Sequence, residues 1–523
     1  MGDFINTEGN ITLENLTAMY EAQGHEMLHS LSGGFAFAIK IEDKLEDKIF
    51  AARDPFGTKP LYYATTDDGF FYGEDIKTVI AHMGFTPEIN KDALGLYLTF
   101  QYSVLDETFF RGIYKLPPGS YLYWEDGRLD IVKYYTPMFE PKTQRVSGAI
   151  DRIDQAVLKA VHKAVDTEAE VGTFLSGGVD SGYLAATFGG KKSFTVGFDY
   201  QAYSEVDHAQ ALATQLGIEN ISTIISTQEY WDNLSNIQYH MEEPMADPAA
   251  MAFYFACREA KKHVDIALSG EGPDELFGGY AIYREPFGLS PYDKLPLFFR
   301  KWLAKLAERL PEGKPGRSFL IRGAKAVEER FIGNAYIFTP QERDSILKEP
   351  GRINPQNITQ PYYSQVAHLD DSTKMQYLDI NLWLSGDILL QAYKMSKAHD
   401  LEVRTPLLAK EVAEVAFSLP TSLRVTKHKA KIAFREAAQR HLPDEVATRK
   451  KLGFPVPIRL WLREDMYYHK VKESFESPVA GEFFNVPALV ALLDAHKTGR
   501  QDNSRKIWTV YMFLLWHGEY FTN

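Results

Sequence analysis

The sequence predicts an α/β protein: a β-rich α+β region at the N-terminus, then a doubly wound parallel-sheet domain with a helical C-terminal part. Three observations support this prediction. Paired strand patterns around short turns fill residues 1–135, strand and helix patterns then alternate, and helical patterns dominate from about residue 290. Alternation of strands with helices is typical of parallel sheets whose faces are covered by helices.

The N-terminal region is expected to consist mainly of strands and turns after one short helix. Leu13, Leu16, Met19 and Tyr20 have helical spacing, and Gly24 ends that pattern. Three hairpins are predicted, each from two strand-like runs around a polar turn: residues 35–39 with 48–52, 61–64 with 69–72, and 121–124 with 129–132.

Residues 136–142 contain two prolines and polar residues, which oppose regular structure and make this segment the best linker candidate. We therefore predict domains of residues 1–138 and 139–523. A helix pattern follows at 150–161. Strands and helices then alternate: a strand ending with residues 173–175, a helix, a strand at 193–198, a helix at 206–216 and a strand at 222–225.

Composition excludes several classes of protein. The formal net charge of −13 argues against general nucleic-acid binding. The single cysteine, Cys257, leaves no internal disulfide possible and fits a reducing compartment. No secretory signal and no run of about eighteen apolar residues is recognisable. We therefore expect a cytoplasmic protein with neither a nucleic-acid nor a membrane partner.

The most informative segment is Phe-Leu-Ser-Gly-Gly-Val-Asp-Ser at residues 174–181. It joins the end of a predicted strand to an Ala-rich helix through a Gly-Gly turn. Glycines let a backbone approach a phosphate closely, and N–H groups at a helix start point toward the anion. Ser176 and Ser181 add hydroxyl donors, whereas the Asp180 carboxylate beside phosphates requires a bridging cation such as Mg²⁺. An ordinary strand-to-helix turn is the alternative.

A second segment at residues 267–280 reads Ala-Leu-Ser-Gly-Glu-Gly-Pro-Asp-Glu-Leu-Phe-Gly-Gly-Tyr. Residues 264–268 have a buried-strand pattern, so this loop is expected at the carboxyl edge of the same sheet, where doubly wound folds bind ligands. Three carboxylates within five residues suit metal binding or acid–base chemistry. A solvated acidic turn is the alternative, and the apolar Leu276 and Phe277 make it less attractive.

Together these two segments resemble the synthetase domain of the asparagine synthetase B family, and the first is similar to the pyrophosphate loop of ATP pyrophosphatases. Residues 402–408, 431–436 and 451–457 extend the resemblance over nearly the whole chain. The resemblance implies that ATP activates a carboxylate as an acyl-adenylate with release of pyrophosphate, and that ammonia then displaces AMP to leave an amide. ATP and Mg²⁺ are the implied cofactors.

Carried over position by position, the resemblance implies three groups of site residues. The nucleotide would be held by Leu175, Ser176, Gly177, Gly178, Asp180, Ser181, Val196, Ser269 and Gly270. The two apolar members and residues 269–270 would contact the adenosine part, and the others the pyrophosphate. Mg²⁺ would be ligated by Asp180 and Asp274. The catalytic group would be Glu271 facing the substrate or ammonia, Lys431 at the α-phosphate, and Arg435 in support.

Three other segments carry weaker expectations. Taken alone, Lys431 is expected to be a surface lysine, because most lysines are exposed. Residues 449–451, Arg-Lys-Lys, are expected to form a solvated basic turn rather than a phosphate site. Residues 242–247, Glu-Glu-Pro-Met-Ala-Asp, are expected to line the substrate pocket, where their acids could repel a carboxylate or bind an amine.

The front of the chain departs from the family pattern. Full-length members begin with an Ntn-type glutaminase domain whose first mature residue is a nucleophilic cysteine, whereas this sequence starts Met1-Gly2-Asp3. Thr12 stands where the family has the aspartate that holds glutamine, and Cys257 lies in an apolar helical pattern. We interpret residues 1–138 as an incomplete glutaminase-like remnant with a structural role and expect no glutaminase activity of its own. A coding start placed too late is the alternative.

Three functions are compatible with these residues. The leading one is an ATP-dependent ligase that amidates aspartate with ammonia, supplied free or by a partner glutaminase. The second keeps the adenylation but amidates or cyclises another carboxylate, such as a cell-wall precursor, a lactam or a peptide. The third is a non-catalytic relative. The presence of all four key polar residues, Asp180, Glu271, Asp274 and Lys431, disfavours it. An incomplete glutaminase domain is expected to expose apolar strand surface, so a partner chain or self-association is predicted.

Overall fold

The computed structural model describes residues 4–8, 11–42, 47–200, 205–311, 314–449 and 456–521. Its strands are β1 Phe4–Thr7, β2 Phe35–Glu42, β3 Asp47–Arg53, β4 Tyr62–Thr66, β5 Gly69–Gly73, β6 Ile113–Lys115, β7 Ser120–Glu125, β8 Arg128–Lys133, β9 Val171–Phe174, β10 Lys192–Phe198, β11 Glu219–Ile225, β12 Ile266–Leu268 and β13 Glu402–Arg404.

The first ten helices surround these strands: α1 Leu13–Gln23, α2 Ile76–Met83, α3 Lys91–Phe100, α4 Val146–Ala164, α5 Val179–Phe188, α6 Val206–Leu216, α7 Thr227–Asp232, α8 Leu234–Met241, α9 Pro248–Lys261 and α10 Pro273–Phe277. The helical part follows: α11 Glu285–Asp293, α12 Leu297–Glu308, α13 Arg317–Gly323, α14 Val327–Arg330, α15 Pro340–Ile346, α16 Pro355–Gln365, α17 Asp371–Asp379, α18 Leu389–Lys397, α19 Lys410–Ser418, α20 Thr421–Arg424, α21 Ile432–Ala438, α22 Asp444–Thr448, α23 Ile458–Trp461, α24 Asp465–Phe475, α25 Pro478–Phe483, α26 Val486–Lys497 and α27 Ser504–Phe521. Three 3₁₀ segments at Gly24–His29, Ala281–Arg284 and Pro406–Leu408 and a π-helical segment at Ile380–Ile388 complete the set.

The N-terminal region forms two sheets, one with strand order β1-β2-β3-β7-β8 and one with order β5-β4-β6. All three predicted hairpins are confirmed as the antiparallel pairs β2–β3, β4–β5 and β7–β8. The first of these turns, residues 43–46, lies outside the described residues. The predicted helix is α1, which ends at Gly24 as expected.

The expectation of one short helix in this region is wrong, because α2 and α3 are also helical. Every residue of α3 from Ala93 to Phe100 is buried. A helix that is enclosed on all sides shows no polar face, so its sequence lacks the periodicity that identifies surface helices. The sequence signal that does exist is Asn90, whose side chain caps the first turn.

A third sheet follows the N-terminal region. It is parallel throughout, with strand order β11-β10-β9-β12-β13. The chain runs from β9 outward through β10 to β11, then returns to β12 on the other side of β9 and continues to β13. This arrangement confirms the doubly wound prediction and places the reversal of strand order between β9 and β12. Helices of the predicted alternation, α5 and α6, follow β9 and β10.

The two regions share a hydrophobic core rather than meeting at a thin interface. The Tyr97 hydroxyl of α3 donates to the Thr509 carbonyl of α27 at 2.9 Å, and the Phe109 and Trp516 rings are 5.0 Å apart. The predicted linker, residues 136–142, is irregular as expected, but its Phe139 is buried against Phe417. The proposed boundary at residues 138/139 therefore divides a continuous core and stays a prediction.

The lengths and hydropathies of the helices also bear on membrane topology. Among the described residues, no helix combines the length and apolar character needed to cross a bilayer.

Candidate active site

Two loops meet at the carboxyl edge of the parallel sheet. One follows β9 and the other follows β12, and these strands are neighbours, with Thr173 opposite Leu268. A Cβ on Gly270 would lie 3.1 Å from the Ser181 amide nitrogen, so the second loop packs directly on the first. The reversal of strand order thus creates the crevice in which doubly wound folds bind ligands.

The loop after β9 is closed by its own hydroxyl groups. The Ser176 and Ser181 hydroxyl oxygens are 2.8 Å apart, and the Ser176 amide donates to Ser181 Oγ at 3.0 Å. The Gly178 amide donates to Ser176 Oγ at 3.2 Å. Gly178 is also the N-cap of α5, and a glycine has no side chain with which to cap the first amides of the helix. Those amides and the helix dipole favour an anion at this position.

Lys431 lies between two carboxylates that come from different loops. Its Nζ is 2.7 and 2.6 Å from the two oxygens of Asp180 and 2.6 Å from Asp274 Oδ1. Lys431 is 1% exposed, so the expectation of a surface lysine is wrong. The burial of an ammonium group is compensated here by two anionic partners.

The backbone packs closely around Asp180, Asp274 and Lys431, which we call the triad. Lys431 has a φ of 53°, a left-handed conformation that is uncommon for a lysine and that precedes the start of α21. A Cβ on Gly279 would lie 1.8 Å from Asp274 Oδ1 and 2.2 Å from Lys431 Cε. Only a glycine therefore leaves room for the pair at this point.

The three carboxylates of the acidic loop after β12, those of Glu271, Asp274 and Glu275, have different partners. Ser269 Oγ donates to Glu271 Oε1 at 3.2 Å, and Glu271 lines the same cavity as the loop after β9. Glu275 is buried and accepts a hydrogen bond of 2.7 Å from the Tyr280 hydroxyl. Burial, followed by the charges of Glu275 and Asp274, raises the pKa of Tyr280, so this hydroxyl stays protonated as a donor. The solvated acidic turn is thereby excluded for Asp274 and Glu275.

Two arginines border the phosphate end of the crevice. Arg449 Nη1 donates to the Gly177 carbonyl at 3.2 Å, so the expectation that it belongs to a solvated basic turn is wrong. Arg435 Nη1 donates to the carbonyls of Ala447 and Arg449 at 2.6 and 3.1 Å, which fixes the segment that carries Arg449. Residues 450–455, which include two of the three residues of the predicted basic turn and all of Lys-Leu-Gly-Phe-Pro at 451–455, lie outside the described residues.

All the predicted site residues line one cavity of about 410 Å³. They are Leu175, Ser176, Gly177, Gly178, Asp180, Ser181, Val196, Ser269, Gly270, Glu271, Asp274, Lys431 and Arg435. The sequence places them in four segments far apart along the chain, and the fold assembles them around a space of the size usual for small-molecule sites. Their individual roles stay predictions.

Comparison with known proteins shows two family matches that together cover most of the chain. The profile described as Asparagine synthase matches residues 152–518, and the one described as Glutamine amidotransferase domain matches residues 6–135. A Bacillus subtilis (strain 168) protein named asparagine synthetase (glutamine-hydrolyzing) 1 is 39% identical over 522 residues, which cover 99% of this chain and 82% of that protein.

The chain belongs to the asparagine synthase family. A Mycobacterium bovis protein named putative asparagine synthetase (glutamine-hydrolyzing) is 39% identical over 520 residues, covering 96% of this chain and 79% of that protein. A more distant relative from Gibberella zeae, named amidase chry2, is 24% identical over 510 residues, covering 88% of this chain and 75% of that protein. Membership makes the chain an enzyme that forms carbon–nitrogen bonds by ATP-dependent amidation, and it confirms the α/β architecture predicted from sequence.

The same cavity is also lined by Asp247, from the predicted pocket segment 242–247, and by Ala249, Ile388 and Gln391, which no sequence pattern predicted. Gln391 Nε2 donates to the buried Asp387 at 3.1 Å, and burial raises the pKa values of both Asp247 and Asp387. Ala249 belongs to α9, Ile388 to the π-helical segment and Gln391 to α18.

The expectation for residues 242–247 is correct only for Asp247. Glu242 is buried, forms an ion pair with Lys394 and accepts a hydrogen bond from the Ile76 amide at 2.9 Å. Glu243 is also buried and pairs with Lys115 at 3.2 Å. Both glutamates therefore hold the N-terminal region against the parallel-sheet region instead of facing a substrate.

Within residues 6–135, both Thr12, which departs from the family pattern, and Arg53, which matches it, have structural partners. Thr12 caps α1, where its hydroxyl accepts a hydrogen bond from the Asn15 amide. Arg53 donates to the carbonyls of Lys59, Leu116 and Gly57 at 2.7, 2.8 and 2.8 Å. These contacts fit the structural role predicted for this region.

Cys257 is unsuited to nucleophilic chemistry. It lies inside α9 and is fully buried, as its sequence pattern predicts. Burial raises the pKa of its thiol well above the usual value, which disfavours the reactive thiolate.

Proposed function

We propose that this chain adenylates a carboxylate, with aspartate as the first candidate, and transfers the acyl group to ammonia. The products are an amide, AMP and pyrophosphate. The observation that carries the proposal is the position of Lys431 between Asp180 and Asp274, inside a cavity that also contains a phosphate-binding type of loop. A buried lysine flanked by two acids is costly to maintain in a site that binds only neutral molecules.

The chemistry requires cations rather than a nucleophilic side chain. A substrate carboxylate attacks the α-phosphate of ATP, and both groups are anionic, so the barrier is lowered by positioning and by positive charge. Lys431 would hold the α-phosphate oxygens as negative charge develops there. The amides at the start of α5 and the hydroxyls of Ser176 and Ser181 would hold the departing pyrophosphate.

The two aspartates fit a divalent cation. Asp180 and Asp274 carry two negative charges against the one positive charge of Lys431, so the triad is anionic without a second cation. Mg²⁺ prefers carboxylate and phosphate oxygens and keeps several waters, which matches a site with only two protein ligands. When bound, Mg²⁺ would neutralise the phosphates and align them for attack.

Ammonia attacks the acyl-adenylate in the second half-reaction. The attacking nitrogen must lose a proton, and Glu271, which lines the cavity and accepts a hydrogen bond from Ser269, offers a carboxylate for it. We assign Glu271 to contact with the substrate or ammonia and to acceptance of that proton. Arg435 acts through Arg449 and is a positioning residue.

Aspartate is the first candidate because of the names of the relatives, and a different carboxylate is the alternative. Asp247 lines the same cavity, and its carboxyl group can accept a hydrogen bond from a substrate amino group. Aspartate carries one, and so do larger amino-acid carboxylates such as cell-wall precursors. Pyrophosphate release with aspartate and with other amino-acid and cell-wall carboxylates distinguishes these cases.

Free ammonia is the proposed nitrogen donor for a polypeptide of these 523 residues. The two relatives named as asparagine synthetases are called glutamine-hydrolyzing, and that chemistry uses a thiol in the family this chain resembles. Cys257 is the one cysteine of this sequence and is fully buried. We therefore expect glutamine to support no reaction unless a separate glutaminase is added.

The test is pyrophosphate release by the purified 523-residue chain with ATP and Mg²⁺. Aspartate would be offered with ammonium, with glutamine, and with neither, and a parallel series would replace aspartate by other amino-acid and cell-wall carboxylates. Asp180→Asn is the inactive control, and Asp67→Asn, in the exposed turn after β4, is the matched control for an aspartate change elsewhere.

We expect release with aspartate and ammonium that is lost in Asp180→Asn and kept in Asp67→Asn. Equal rates with glutamine in a preparation free of glutaminase would refute the choice of ammonia. Release only with another carboxylate would refute aspartate and keep the ligase. Failure of every carboxylate, with ATP binding intact by calorimetry, would favour a non-catalytic relative.

A further inference from the structure

An exposed apolar row runs along α12. Phe298, Trp302 and Leu306 are spaced four residues apart, so they lie one above another on a single face of the helix. Their exposed fractions are 76%, 54% and 42%. Phe319 of α13 is 43% exposed. Large aromatic side chains that remain in water on a folded protein indicate a surface that another phase or molecule covers.

Lysines and arginines border this row. Lys301, Lys305 and Arg309 are exposed and lie on the flank of the same helix. Residues 297–325 contain eight lysines and arginines against two glutamates, whereas the whole chain has a net charge of −13. The basic charge is therefore concentrated where the apolar row is exposed.

The rest of α12 is held in place by packing on its opposite side. Ala304 and Ala307 are buried, and α12 packs against α13. Arg300 donates to the Gly323 carbonyl at 2.7 Å and pairs with Asp293 at the same distance. The helix cannot turn its apolar row inward without breaking these contacts, so the row is a fixed feature of the surface.

We propose that this α12 surface, made of Phe298, Trp302 and Leu306 with Lys301, Lys305 and Arg309, binds the surface of an anionic phospholipid membrane. Phe, Trp and Leu on one face of a helix with lysines and arginines beside them is the pattern of helices that lie in a membrane interface. The apolar side chains would enter the boundary between headgroups and acyl chains, and the basic side chains would contact anionic headgroups.

Charge argues against a second copy of the chain as the occupant. A two-fold symmetric interface places the same patch on both subunits, so the basic flank of α12 would face its own copy. Like charges held at such an interface are repulsive. An anionic lipid surface instead meets both the apolar row and its basic flank with complementary chemistry.

This inference revises the expectation that the protein has no membrane partner. That expectation rested on the lack of a long apolar run, which concerns spanning helices only. An interfacial helix needs an apolar face and a charged face rather than a long apolar run, and a membrane-bound enzyme of this kind would meet substrates that are presented at the lipid surface. None of these surface residues lines the active-site cavity, so membrane binding and catalysis can be tested separately.

The experiment is co-sedimentation of the full chain with vesicles of phosphatidylcholine alone and of phosphatidylcholine with about one third phosphatidylglycerol. Lys301→Gln/Lys305→Gln tests the charge, and Phe298→Ala/Trp302→Ala tests the apolar row. Phe85→Ala, which removes an aromatic ring that is 54% exposed in the N-terminal region, is the matched control. Pyrophosphate release without vesicles reports folding of each variant.

We expect binding to the anionic vesicles that falls about 25-fold in the lysine variant, from about 1 kcal/mol for each basic residue near the surface. The aromatic variant is expected to fall at least about tenfold, with Phe85→Ala and all vesicle-free activities unchanged. Lipids brominated in their acyl chains should quench part of the tryptophan fluorescence, and Trp302→Phe should remove that quenching while binding is kept. The other six tryptophans are mostly buried.

Three results would overturn the proposal. Equal binding of wild type and variants would show that another surface contacts the lipid. Absence of binding to anionic vesicles would leave the surface to a protein partner. A fall in molecular mass of the aromatic variant by ultracentrifugation without vesicles would show that a second copy of the chain covers the row.

Discussion

Lys431 Nζ lies 2.6 Å from an oxygen of Asp180 and 2.6 Å from an oxygen of Asp274, and this one ammonium group joins the loop after β9 to the loop after β12. The two aspartates are 94 positions apart in the sequence, and Lys431 follows much later. The contact brings a phosphate-binding type of loop, a pair of acids and a cation into one crevice. It also predicts which side chains a substitution will disturb.

Replacing Lys431 by Met should abolish most activity while the chain stays folded. The variant keeps the length of the side chain and removes the charge that stabilises the α-phosphate, so we expect pyrophosphate release to fall about 10²- to 10³-fold. Lys431→Arg keeps the charge and should retain more activity than Lys431→Met. Initial rates at saturating ATP measure both, and equal rates for Lys431→Met and wild type would remove Lys431 from the proposed mechanism.

Gly279→Ala should lower activity as strongly as replacement of a charged residue of the triad. Its Cβ would overlap Asp274 Oδ1 and Lys431 Cε at 1.8 and 2.2 Å, so one of the two side chains must leave its position. Gly481→Ala is the matched control, because its Cβ would meet nothing within 4 Å. That control should be fully active and about 0.5–1 kcal/mol more stable, as expected for alanine in a helix. Full activity of Gly279→Ala would show that the triad tolerates displacement.

Arg449→Met should weaken ATP binding without much effect on the chemical step. Arg449 donates to the Gly177 carbonyl and supports the phosphate loop from outside, so we expect the KM for ATP to rise about tenfold with kcat nearly unchanged. Arg500→Met, at an exposed position, is the control and should leave both constants unchanged. A fall in kcat of Arg449→Met at unchanged KM would instead place this arginine in the transition state.

Asp379 should make stability depend on pH in an unusual direction. Burial raises the pKa of Asp379 to about 7, although the Tyr283 hydroxyl and the Asn334 amide donate to it. The folded protein therefore holds a proton that the unfolded chain loses near pH 4, so the contribution of this group to stability falls as pH rises from about 4 to about 7.

Asp379→Asn removes this ionisation. The free energy of unfolding of wild type minus that of the variant should fall by about 3 kcal/mol between pH 5 and pH 8. Urea titrations of both proteins at the two pH values measure the difference, and Asp67→Asn should run parallel to wild type. A difference that does not change with pH would mean that Asp379 titrates normally.

The sequence predicted the parts of the site that depend on local patterns. Residues 174–181 form a strand end, a glycine turn and a helix start, because each of these has a short-range signature. The hairpins of the N-terminal region were predicted for the same reason. The helix α3 was not, since a helix buried on every side carries no polar face to mark it.

Contacts between distant segments could not be predicted from patterns. Lys431 and Arg449 are ordinary basic residues in the sequence, and most such residues are solvated. Glu242 and Glu243 look like pocket residues by their order in the chain, yet both point into the core between the two regions. Ala249, Ile388 and Gln391 line the cavity although no motif marks them in the sequence.

The sequence by itself determined the family, the parallel sheet and the residues of the phosphate end of the site, because short motifs at strand ends define them. The tertiary structure alone decided that Lys431 is buried between two aspartates, that Asp247 rather than Glu242 faces the cavity, and that the apolar row of α12 remains outside. The physical reason is that burial and ion pairing depend on which segments pack together, and packing of distant segments leaves no periodic trace in the chain.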